Sequence, residues 1–335
     1  MCADGEPDVK GTRNKEWNIQ PIVGFEIEQK KGRGEDAAAC IADPKGKATL
    51  IACLDGCGGS GAKVYPEADN WTGARIASFS SGRALAAWYD QNDLARLGLQ
   101  DYPKERIAQS LTQALQENIE KTKSEVSPGQ DRMIVSSMIR PFPTTLACAV
   151  VSEADSGLRC LYLWAGDSRG FLLTQQGLTQ TTTDDLKEQL DPFENIEQDG
   201  VLSNVISAKP FHINVREAAI QEPCLIITAT DGCFSYFRSP MEFEYTLLRT
   251  LQDAQSPAEW RELLISQIGQ VASDDYTMEI LSIGFDTFHA IKTYFQPTFR
   301  SFYEKYGKRA LESKTREELR AIWDTYKAFY LRTQL

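Results

Sequence analysis

Two Asp-Gly pairs, Asp55-Gly56 and Asp231-Gly232, are the residues of this sequence best suited to chemistry. Each pair follows a run of apolar, β-prone residues, and such runs predict buried strands. A carboxylate at the end of a buried strand is held rigidly, and the glycine after it allows a ligand to approach a main-chain carbonyl. Two converging copies would form an oxygen-rich site for hard divalent cations. The alternative is a pair of ordinary strand-to-turn junctions, where Asp-Gly is common for steric reasons.

Further acidic residues fall at three other predicted strand ends, at Glu35-Asp36, Asp167 and Asp274-Asp275. Histidines are scarce, because His212 and His289 are the only two in the sequence. Both are expected to be structural or exposed, which argues against a Ser-His-Asp or Cys-His hydrolase. Any chemistry must therefore come from carboxylates and metal.

The composition is that of an ordinary globular protein, with 335 residues, 42% hydrophobic and 25% charged. A net charge of −11 disfavours nucleic-acid binding, which depends on phosphate neutralisation. No stretch approaches the roughly 18 apolar residues of a membrane helix, and the N-terminus has no apolar signal core. The eight cysteines are scattered without a CxxC pair, which favours reduced core thiols. We expect a cytoplasmic protein with no nucleic-acid or membrane partner.

The predicted elements run as three strands, two helices, a strand-rich segment, two helices and a final strand. This order predicts an α+β fold in which two sheets pack together with helix pairs outside. Residues 62–70 form an odd loop that looks like an insertion beside the first Asp-Gly pair. Residues 179–211 are polar and irregular.

The chain divides into a flexible leader at 1–17, a main domain at 18–286 and a helical C-terminal extension at 287–335. In the extension, aromatic residues recur at helical spacing, and Thr315 with Glu318 forms a candidate capping box. The extension carries ten Lys or Arg and five Asp or Glu, a net charge of +5. Its aromatic stripe predicts a docked face, and docking on the core and docking on a partner both stay open.

Six short motifs together resemble the metal-dependent protein phosphatases of the PP2C type, and bacterial members in particular. In chain order they are Glu35-Asp36, Asp55-Gly56-Cys57-Gly58-Gly59, Thr144-Thr145, Gly166-Asp167-Ser168-Arg169, Ala229-Thr230-Asp231-Gly232 and Asp274-Asp275-Tyr276-Thr277. Each is weak alone, but all six occur in the family's order over residues 20–286. The resemblance implies a four-layer αββα sandwich, with two antiparallel sheets between helix pairs.

The resemblance also implies a site that holds two Mn²⁺ or Mg²⁺ ions, with a third, weaker metal in bacterial members. The implied metal ligands are Glu35, Asp36, Asp55, the Gly56 carbonyl, Asp167, Asp231 and Asp274, and Asp36, Asp55 and Asp231 are the implied catalytic residues. Asp274 matches the family's ligand because it stands three residues before Thr277. Asp275 occupies the family's usual Asn position.

The activity implied is hydrolysis of phosphoserine and phosphothreonine in a protein, opposite a partner Ser/Thr kinase. In this family a water that bridges the two cations attacks phosphorus in line, so that no covalent intermediate forms. Metal activation of water suits a sequence that is poor in histidine.

The sequence departs from the family at two places. Lys31 stands where the family has the arginine that grips the substrate phosphate, and Arg33 follows two residues later. Lysine lacks the bidentate fork of arginine, so phosphate binding would weaken or pass to Arg33. Cys57 stands where many members have a histidine proposed as the general acid. A thiol with a pKa of about 8.5 could donate a proton, although water is the simpler donor.

Two alternatives to a phosphoprotein phosphatase remain open. One is a catalytically weak or inactive binding or regulatory module of the same fold, which the two departures and the basic aromatic extension support. The other is a metal-dependent phosphatase that acts on a small molecule.

Overall fold

The computed structural model describes residues 17–42, 48–92, 103–127, 140–154, 157–198 and 200–332. The predicted leader at 1–17 lies outside the described residues, apart from Trp17. No helix within these ranges is long and apolar enough to cross a membrane.

The strands of the described ranges form two five-stranded antiparallel sheets and one short hairpin. In chain order they are β1 (Ile19–Ile27), β2 (Ala37–Ala42), β3 (Ala48–Leu54), β4 (Val64–Tyr65), β5 (Trp71–Thr72), β6 (Leu146–Ala154), β7 (Gly157–Ala165), β8 (Arg169–Thr174), β9 (Gly177–Gln180), β10 (Asn214–Ile220), β11 (Cys224–Ala229) and β12 (Tyr276–Ile283).

The helices of the described ranges cover the outer faces of these sheets. They are α1 (Gly58–Gly61), α2 (Gly73–Asn92), α3 (Lys104–Val126), α4 (Pro192–Gln198), α5 (Pro240–Asp253), α6 (Pro257–Gly269), α7 (Phe288–Phe302), α8 (Lys308–Glu312) and α9 (Arg316–Tyr330). A π-helical turn, Tyr303–Gly307, joins α7 to α8. Ser239, Ser256 and Thr287 cap α5, α6 and α7 by accepting a hydrogen bond from the backbone three residues on.

The first sheet has the strand order β1-β12-β11-β8-β9, and the second has the order β10-β7-β6-β3-β2. Strands β3, β11 and β12 are buried along their whole length. Each is covered by the opposite sheet on one face and by helices on the other, which explains their continuous apolar sequences. The acidic motifs therefore stand at the ends of the most deeply buried strands.

Three apolar layers separate the sheets and helices. One lies between α2, α3 and the second sheet, where Leu85 and Leu115 pack near Leu50. A second lies between the sheets and includes Ile226 and Leu281. The third lies between the first sheet and α5 to α9. This confirms the predicted α+β fold with a four-layer αββα sandwich.

The aromatic stripe of the C-terminal extension packs on the outer side of the first sheet. Phe295, Phe302, Trp323, Tyr326 and Tyr330 are all buried in the core that α5 and α6 also share. The predicted capping box at the start of α9 is confirmed, with both of its hydrogen bonds formed. The stripe is thus part of the sandwich core in this structure.

Glu244 on α5 is the buried carboxylate that the extension covers. Its Oε1 accepts a hydrogen bond from the Leu178 backbone at 3.1 Å, and its Oε2 accepts one from the Tyr326 hydroxyl. Burial raises the pKa of Glu244 from an ordinary value of 4.5 to about 7, although both hydrogen bonds and the nearby Arg332 oppose the rise. The folded chain therefore keeps a proton in this window that the unfolded chain releases.

We expect Glu244→Gln to reduce the loss of stability between pH 5 and 8. Wild-type stability should fall as the pH rises from about 4.5 through about 7, because the folded state binds the extra proton. The neutral amide of the variant stands in for the protonated acid, so the variant should gain up to about 3 kcal/mol on wild type at pH 8. Urea unfolding at both pH values measures this difference, with Glu317→Gln, an exposed change on α9, as the control. An equal difference between variant and wild type at both pH values would contradict it.

Candidate metal centre

Asp55 and Asp36 lie side by side at one end of the second sheet. The ladder between β2 and β3 pairs Ala37 with Leu54, which places the preceding Asp36 beside the following Asp55. The Asp55 backbone is held by Thr145, whose N–H donates to the Asp55 carbonyl at 2.8 Å and whose Oγ1 accepts from the Asp55 N–H at 3.2 Å. Thr144 Oγ1 also donates to that carbonyl at 2.8 Å. These bonds fix the direction in which the Asp55 carboxylate leaves the strand.

Asp231 and Asp274 are positioned by the first sheet in the same way. The ladder between β11 and β12 pairs Ala229 with Met278, so Asp231 after β11 and Asp274 before β12 lie at the same end. A Cβ on Gly232 would lie 1.9 Å from the carbonyl oxygen of Asp275. Only glycine allows the two segments to approach so closely.

Gly56 meets a similar constraint on the second sheet. A Cβ at this position would lie 2.7 Å from the Glu35 carbonyl oxygen and 2.8 Å from the Ala74 carbonyl oxygen of α2. The two Asp-Gly glycines are therefore required by close packing of backbone on backbone around the acidic residues.

Thr230 connects the acidic ends of the two sheets. Its hydroxyl accepts a hydrogen bond from the Thr277 N–H at 2.9 Å and donates one to Asp36 Oδ2 at 2.9 Å. Thr230 thereby ties Asp36, which precedes β2, to the ends of β11 and β12. The two Asp-Gly motifs therefore belong to one cluster.

Asp167 lies in the turn between β7 and β8 and joins the same cluster. The neighbouring Ser168 hydroxyl is 2.5 Å from Thr145 Oγ1, next to Asp55. On the other side, the buried Arg169 forms two bonds to Asp184, at 3.0 and 2.7 Å. This bidentate pair anchors the segment after β9 against the turn that carries Asp167.

The carboxylates of this cluster raise one another's pKa. Burial is the largest cause for Asp36, Asp55 and Asp167, and repulsion from Asp231 adds to it in each case. The pKa of Asp36 rises to about 8, despite the bond from Thr230. Burial and mutual repulsion disfavour the ionised form of these carboxylates. A bound divalent cation would favour the ionised form, so the negative charge of the cluster suits a divalent metal.

The cluster offers the donor atoms that a magnesium or manganese site needs, but its side chains do not converge on one point. Within the part of the chain that the structure describes, no three histidine, cysteine or carboxylate side chains already converge as a metal-binding group. All of the clustered side chains offer carboxylate oxygens, which Mg²⁺ and Mn²⁺ prefer. The residues therefore fit such ions.

Glu35 and Asp274 stand at the rim of the cluster. Glu35 accepts a hydrogen bond from the Thr72 hydroxyl, and burial raises its pKa, with repulsion from Asp274 and Asp275 adding to the effect. Asp274 is exposed, and its pKa is raised by partial desolvation while Lys30 attracts its charge.

The Asp275 carboxylate, unlike that of Asp274, is hydrogen-bonded to the loop between β1 and β2. Its two carboxylate oxygens accept hydrogen bonds from the backbone N–H groups of Gln29 and Glu35, each at 2.7 Å. It therefore closes the loop that carries Lys31 and Arg33. The assignment of Asp274 as the candidate ligand stays a prediction.

The predicted phosphate-binding residues, Lys31 and Arg33, are exposed on the loop between β1 and β2. Arg33 faces a cavity next to Glu35, and Lys30 lines the same cavity while Lys31 does not. Lys30 was missed at the sequence level. The signal that could have found it is only its place in a Lys-Lys-Gly-Arg run.

Cys57 begins the single turn α1 and is partly exposed beside Asp55. Burial raises the pKa of its thiol well above the usual 9.0, and repulsion from Asp55, Asp167 and Asp231 adds to the rise. The thiol therefore stays protonated at neutral pH but is a weak acid. Every other cysteine in the described ranges is also a free thiol.

Comparisons with known proteins are consistent with this arrangement. The family model described as "Protein phosphatase 2C" matches residues 23–265. No matching relative is found among curated protein sequences.

Solved structures of bacterial phosphatases share the fold at low identity. The serine/threonine phosphatase Stp1 from Staphylococcus aureus is 14% identical, with a TM-score of 0.55 over 84% of this chain and 98% of that one. The catalytic domain of the phosphatase PstP, in complex with two manganese ions, is 17% identical, with a TM-score of 0.53 over 81% and 100%. The S. agalactiae serine/threonine phosphatase is 16% identical, with a TM-score of 0.52 over 79% and 99%.

Proposed function

Because the chain belongs to the protein phosphatase 2C family, we propose that it is a metal-dependent phosphatase of phosphoserine and phosphothreonine in proteins. The observation that carries the proposal is the placement of Asp36, Asp55, Asp167 and Asp231 at the same end of the two sheets, where Asp231 raises the pKa of the other three. Residues 18–286 would be the catalytic domain, and a Ser/Thr kinase would supply the phosphorylated substrate.

We propose that two Mn²⁺ or Mg²⁺ ions are held by a set of oxygen donors from both sheets. These donors are Glu35, Asp36, Asp55, the Gly56 carbonyl, Asp231 and Asp274, with Asp167 serving a third ion. When bound, such ions supply a water nucleophile at neutral pH and neutralise phosphoryl charge. No side chain is then needed as a covalent nucleophile.

The remaining residues of the site would position the carboxylates and neutralise the charge of the substrate phosphate. Thr144 and Thr145 hold the Asp55 backbone, and Thr230 orients Asp36. Lys31 would neutralise the substrate phosphate from the loop that Asp275 closes, whereas Arg33 on the same loop faces the neighbouring cavity. Since this loop joins the two sheets, substrate would enter between it and the acidic cluster.

The proposal is tested by phosphate release from p-nitrophenyl phosphate and from a phosphothreonine peptide. We expect both reactions to require Mn²⁺ or Mg²⁺ and to stop when EDTA is added. Release that persists in EDTA would contradict metal dependence. Failure on both substrates with every divalent cation would favour the alternative, a binding or regulatory module with little or no activity. Activity on p-nitrophenyl phosphate but on no phosphopeptide would favour a small-molecule phosphatase.

Cys57→Ser is expected to keep more than about a tenth of wild-type activity, because water can protonate the leaving group. The measurement is kcat on the phosphothreonine peptide, with Cys57→Ala as the companion variant. If both variants lost a hundredfold or more, the thiol would be the general acid.

A further inference from the structure

A cavity of about 610 Å³, here called the side cavity, lies next to the acidic cluster. Its lining includes the cations Lys30, Arg33 and Arg75, the carboxylates Glu35 and Asp69, and the apolar side chains of Val64 and Trp71. Glu35 is the wall that the side cavity shares with the cluster. None of the other proposed metal ligands lines it, so it is a neighbouring space rather than the metal site itself.

Three cations face this space, and two of them are uncommitted. Arg75 is committed, because its Nη1 donates to the Gly32 carbonyl at 2.7 Å and its guanidinium lies 4.5 Å from the centre of the Trp71 ring. Across the residues that the structure describes, the Arg33 guanidinium has no hydrogen-bond or ion-pair partner. Among the described residues, the ammonium group of Lys30 has no hydrogen-bond or ion-pair partner and attracts Asp274 at longer range. The side cavity therefore presents two cations with unused hydrogen-bond donors.

The loop that carries these cations is rigidly held. The Glu28 carboxylate accepts hydrogen bonds from the Gly32 N–H at 2.5 Å and the Gly34 N–H at 3.2 Å. Asp275 accepts bonds from Gln29 and Glu35 at the two ends of the loop, each at 2.7 Å. A loop fixed in this way can bind a ligand without a large loss of backbone entropy.

The outer wall is the β4–β5 hairpin, which lies within and just after the segment predicted to be an insertion. Asp69 and Asn70 both have left-handed backbones, with φ of 53° and 59°, so the turn is held in an uncommon conformation. Val64 is 48% exposed, and Trp71 is fixed between Arg75 and Phe79. The hairpin thus contributes the apolar side chains of Val64 and Trp71 to the side cavity, together with the polar Asp69, Asn70 and Thr72.

We propose that the side cavity is a second anion subsite, which takes a carboxylate or a second phosphate that the substrate protein carries near its phosphorylated residue. Lys30 and Arg33 bind the anion, and Val64 and Trp71 contact its apolar stem. Selection of acidic substrates rests on the proposed phosphatase function, whereas anion binding in the side cavity does not. In a chain of net charge −11, such local cations are what a polyanionic substrate needs.

The test compares three phosphothreonine peptides that differ only beside the phosphothreonine, with alanine, with aspartate and glutamate, or with a second phosphoserine. The chain variants are the double change Lys30→Gln and Arg33→Gln, the change Trp71→Ala, and the control Arg83→Gln, which removes an exposed charge from α2. The measurements are kcat/KM for each peptide and the Kd of a fluorescent acidic peptide without phosphothreonine, by anisotropy.

We expect the acidic and doubly phosphorylated peptides to be preferred over the alanine peptide by about tenfold, the effect of one charge-assisted hydrogen bond. The double variant should lose this preference and weaken binding of the acidic peptide by a similar factor. Trp71→Ala should also weaken it, and Arg83→Gln should behave as wild type. A preference only for the doubly phosphorylated peptide identifies phosphate as the ligand, and an equal preference for both identifies the shared negative charge.

The subsite is overturned if wild type shows no preference and binds acidic and alanine peptides equally, or if the double variant matches Arg83→Gln. Turnover without preference would leave the phosphatase function standing while the subsite fails. Selective binding of the acidic peptide without turnover of any peptide would leave the subsite standing while the phosphatase function fails.

Discussion

Asp231→Asn is expected to lower phosphatase activity by about a thousandfold or more, the loss expected when several kcal/mol of charge stabilisation is removed. Asp231 is the residue whose charge acts on Asp36, Asp55 and Asp167 together. It lies at the start of a short 3₁₀ turn that Gly232 packs against the Asp275 carbonyl. An amide at this position keeps the shape of the side chain but loses the negative charge that a divalent cation requires.

The same substitution should not weaken the fold when no cation is present. Because Asp231 repels the neighbouring carboxylates, neutralising it removes a repulsion that burial strengthens. We expect the Tm of Asp231→Asn in EDTA to equal or exceed that of wild type. Added Mn²⁺ should raise the Tm of wild type through binding to the folded state, and this rise should be smaller or absent in the variant. Opposite effects on Tm and activity would separate a binding role from a structural one.

Asp90→Asn supplies the matched control, because Asp90 is exposed on α2. It should keep both wild-type activity and the Mn²⁺-induced rise in Tm. The proposed role of Asp231 is wrong if Asp231→Asn hydrolyses the phosphothreonine peptide at the wild-type rate. It is also wrong if the variant shows the full Mn²⁺-induced rise, since the cations would then bind without this carboxylate.

The sequence carried enough information to predict the fold and the composition of the acidic cluster. A strand buried on both faces has a continuous apolar sequence, so β3, β11 and β12 could be recognised directly. The residues at their ends then follow from antiparallel pairing, which brings Asp36 beside Asp55. The apolar runs are local patterns that one sequence shows, whereas the grouping of all the acidic motifs into one site was implied by the resemblance to the family.

The supporting contacts could not be predicted, because they join residues far apart in the chain. The Thr230 hydroxyl meets Asp36 across 194 positions, and Asp275 meets the Glu35 backbone across 240. Threonine and aspartate are common in turns, so nothing local distinguishes these two. Asp275 was placed only as the neighbour of a ligand, whereas the structure shows that it fixes the loop carrying the phosphate-binding candidates.

Two segments without clear periodicity also form ordered structure that their sequences did not predict. Residues 62–70 contain most of the β4–β5 hairpin, whose strands are too short to show alternation. The irregular stretch after residue 179 contains α4. It also contains Asp184, which forms a buried ion pair with Arg169 and accepts a hydrogen bond from Asn195 at 3.1 Å. Tertiary contacts order these segments, since their own patterns specify little.

The C-terminal extension reaches this second segment. Arg320 of α9 pairs with Glu194 at 3.1 Å and Asp191 at 3.5 Å, and Arg316 donates to the Phe193 carbonyl at 2.8 Å. Trp323 stacks on Phe193 and donates from its indole nitrogen to Asp191 at 3.0 Å. The helix therefore covers both the first sheet and α4, and its removal would expose an aromatic core.

Trp323→Ala is expected to lower the free energy of unfolding by about 3–5 kcal/mol, as truncations of fully buried aromatic residues do. Trp323 is completely buried, and its ring also contacts Tyr326 and Tyr330 at their edges. A loss of this size is a large share of the roughly 5–15 kcal/mol that holds a domain folded. Urea unfolding, followed by circular dichroism, measures the change.

Trp323→Phe refines the test, because phenylalanine keeps much of the packing but loses the hydrogen bond to Asp191. Its cost should be smaller than that of alanine, and about 1–2 kcal/mol of it should come from the lost hydrogen bond, since Asp191 keeps its contact with Arg320. Tyr303→Ala is the matched control, since Tyr303 is an exposed aromatic of the same extension and its loss should cost far less. If Trp323→Ala were as stable as Tyr303→Ala, the extension would not share the core of the sandwich in solution, and its aromatic face would be available to a partner.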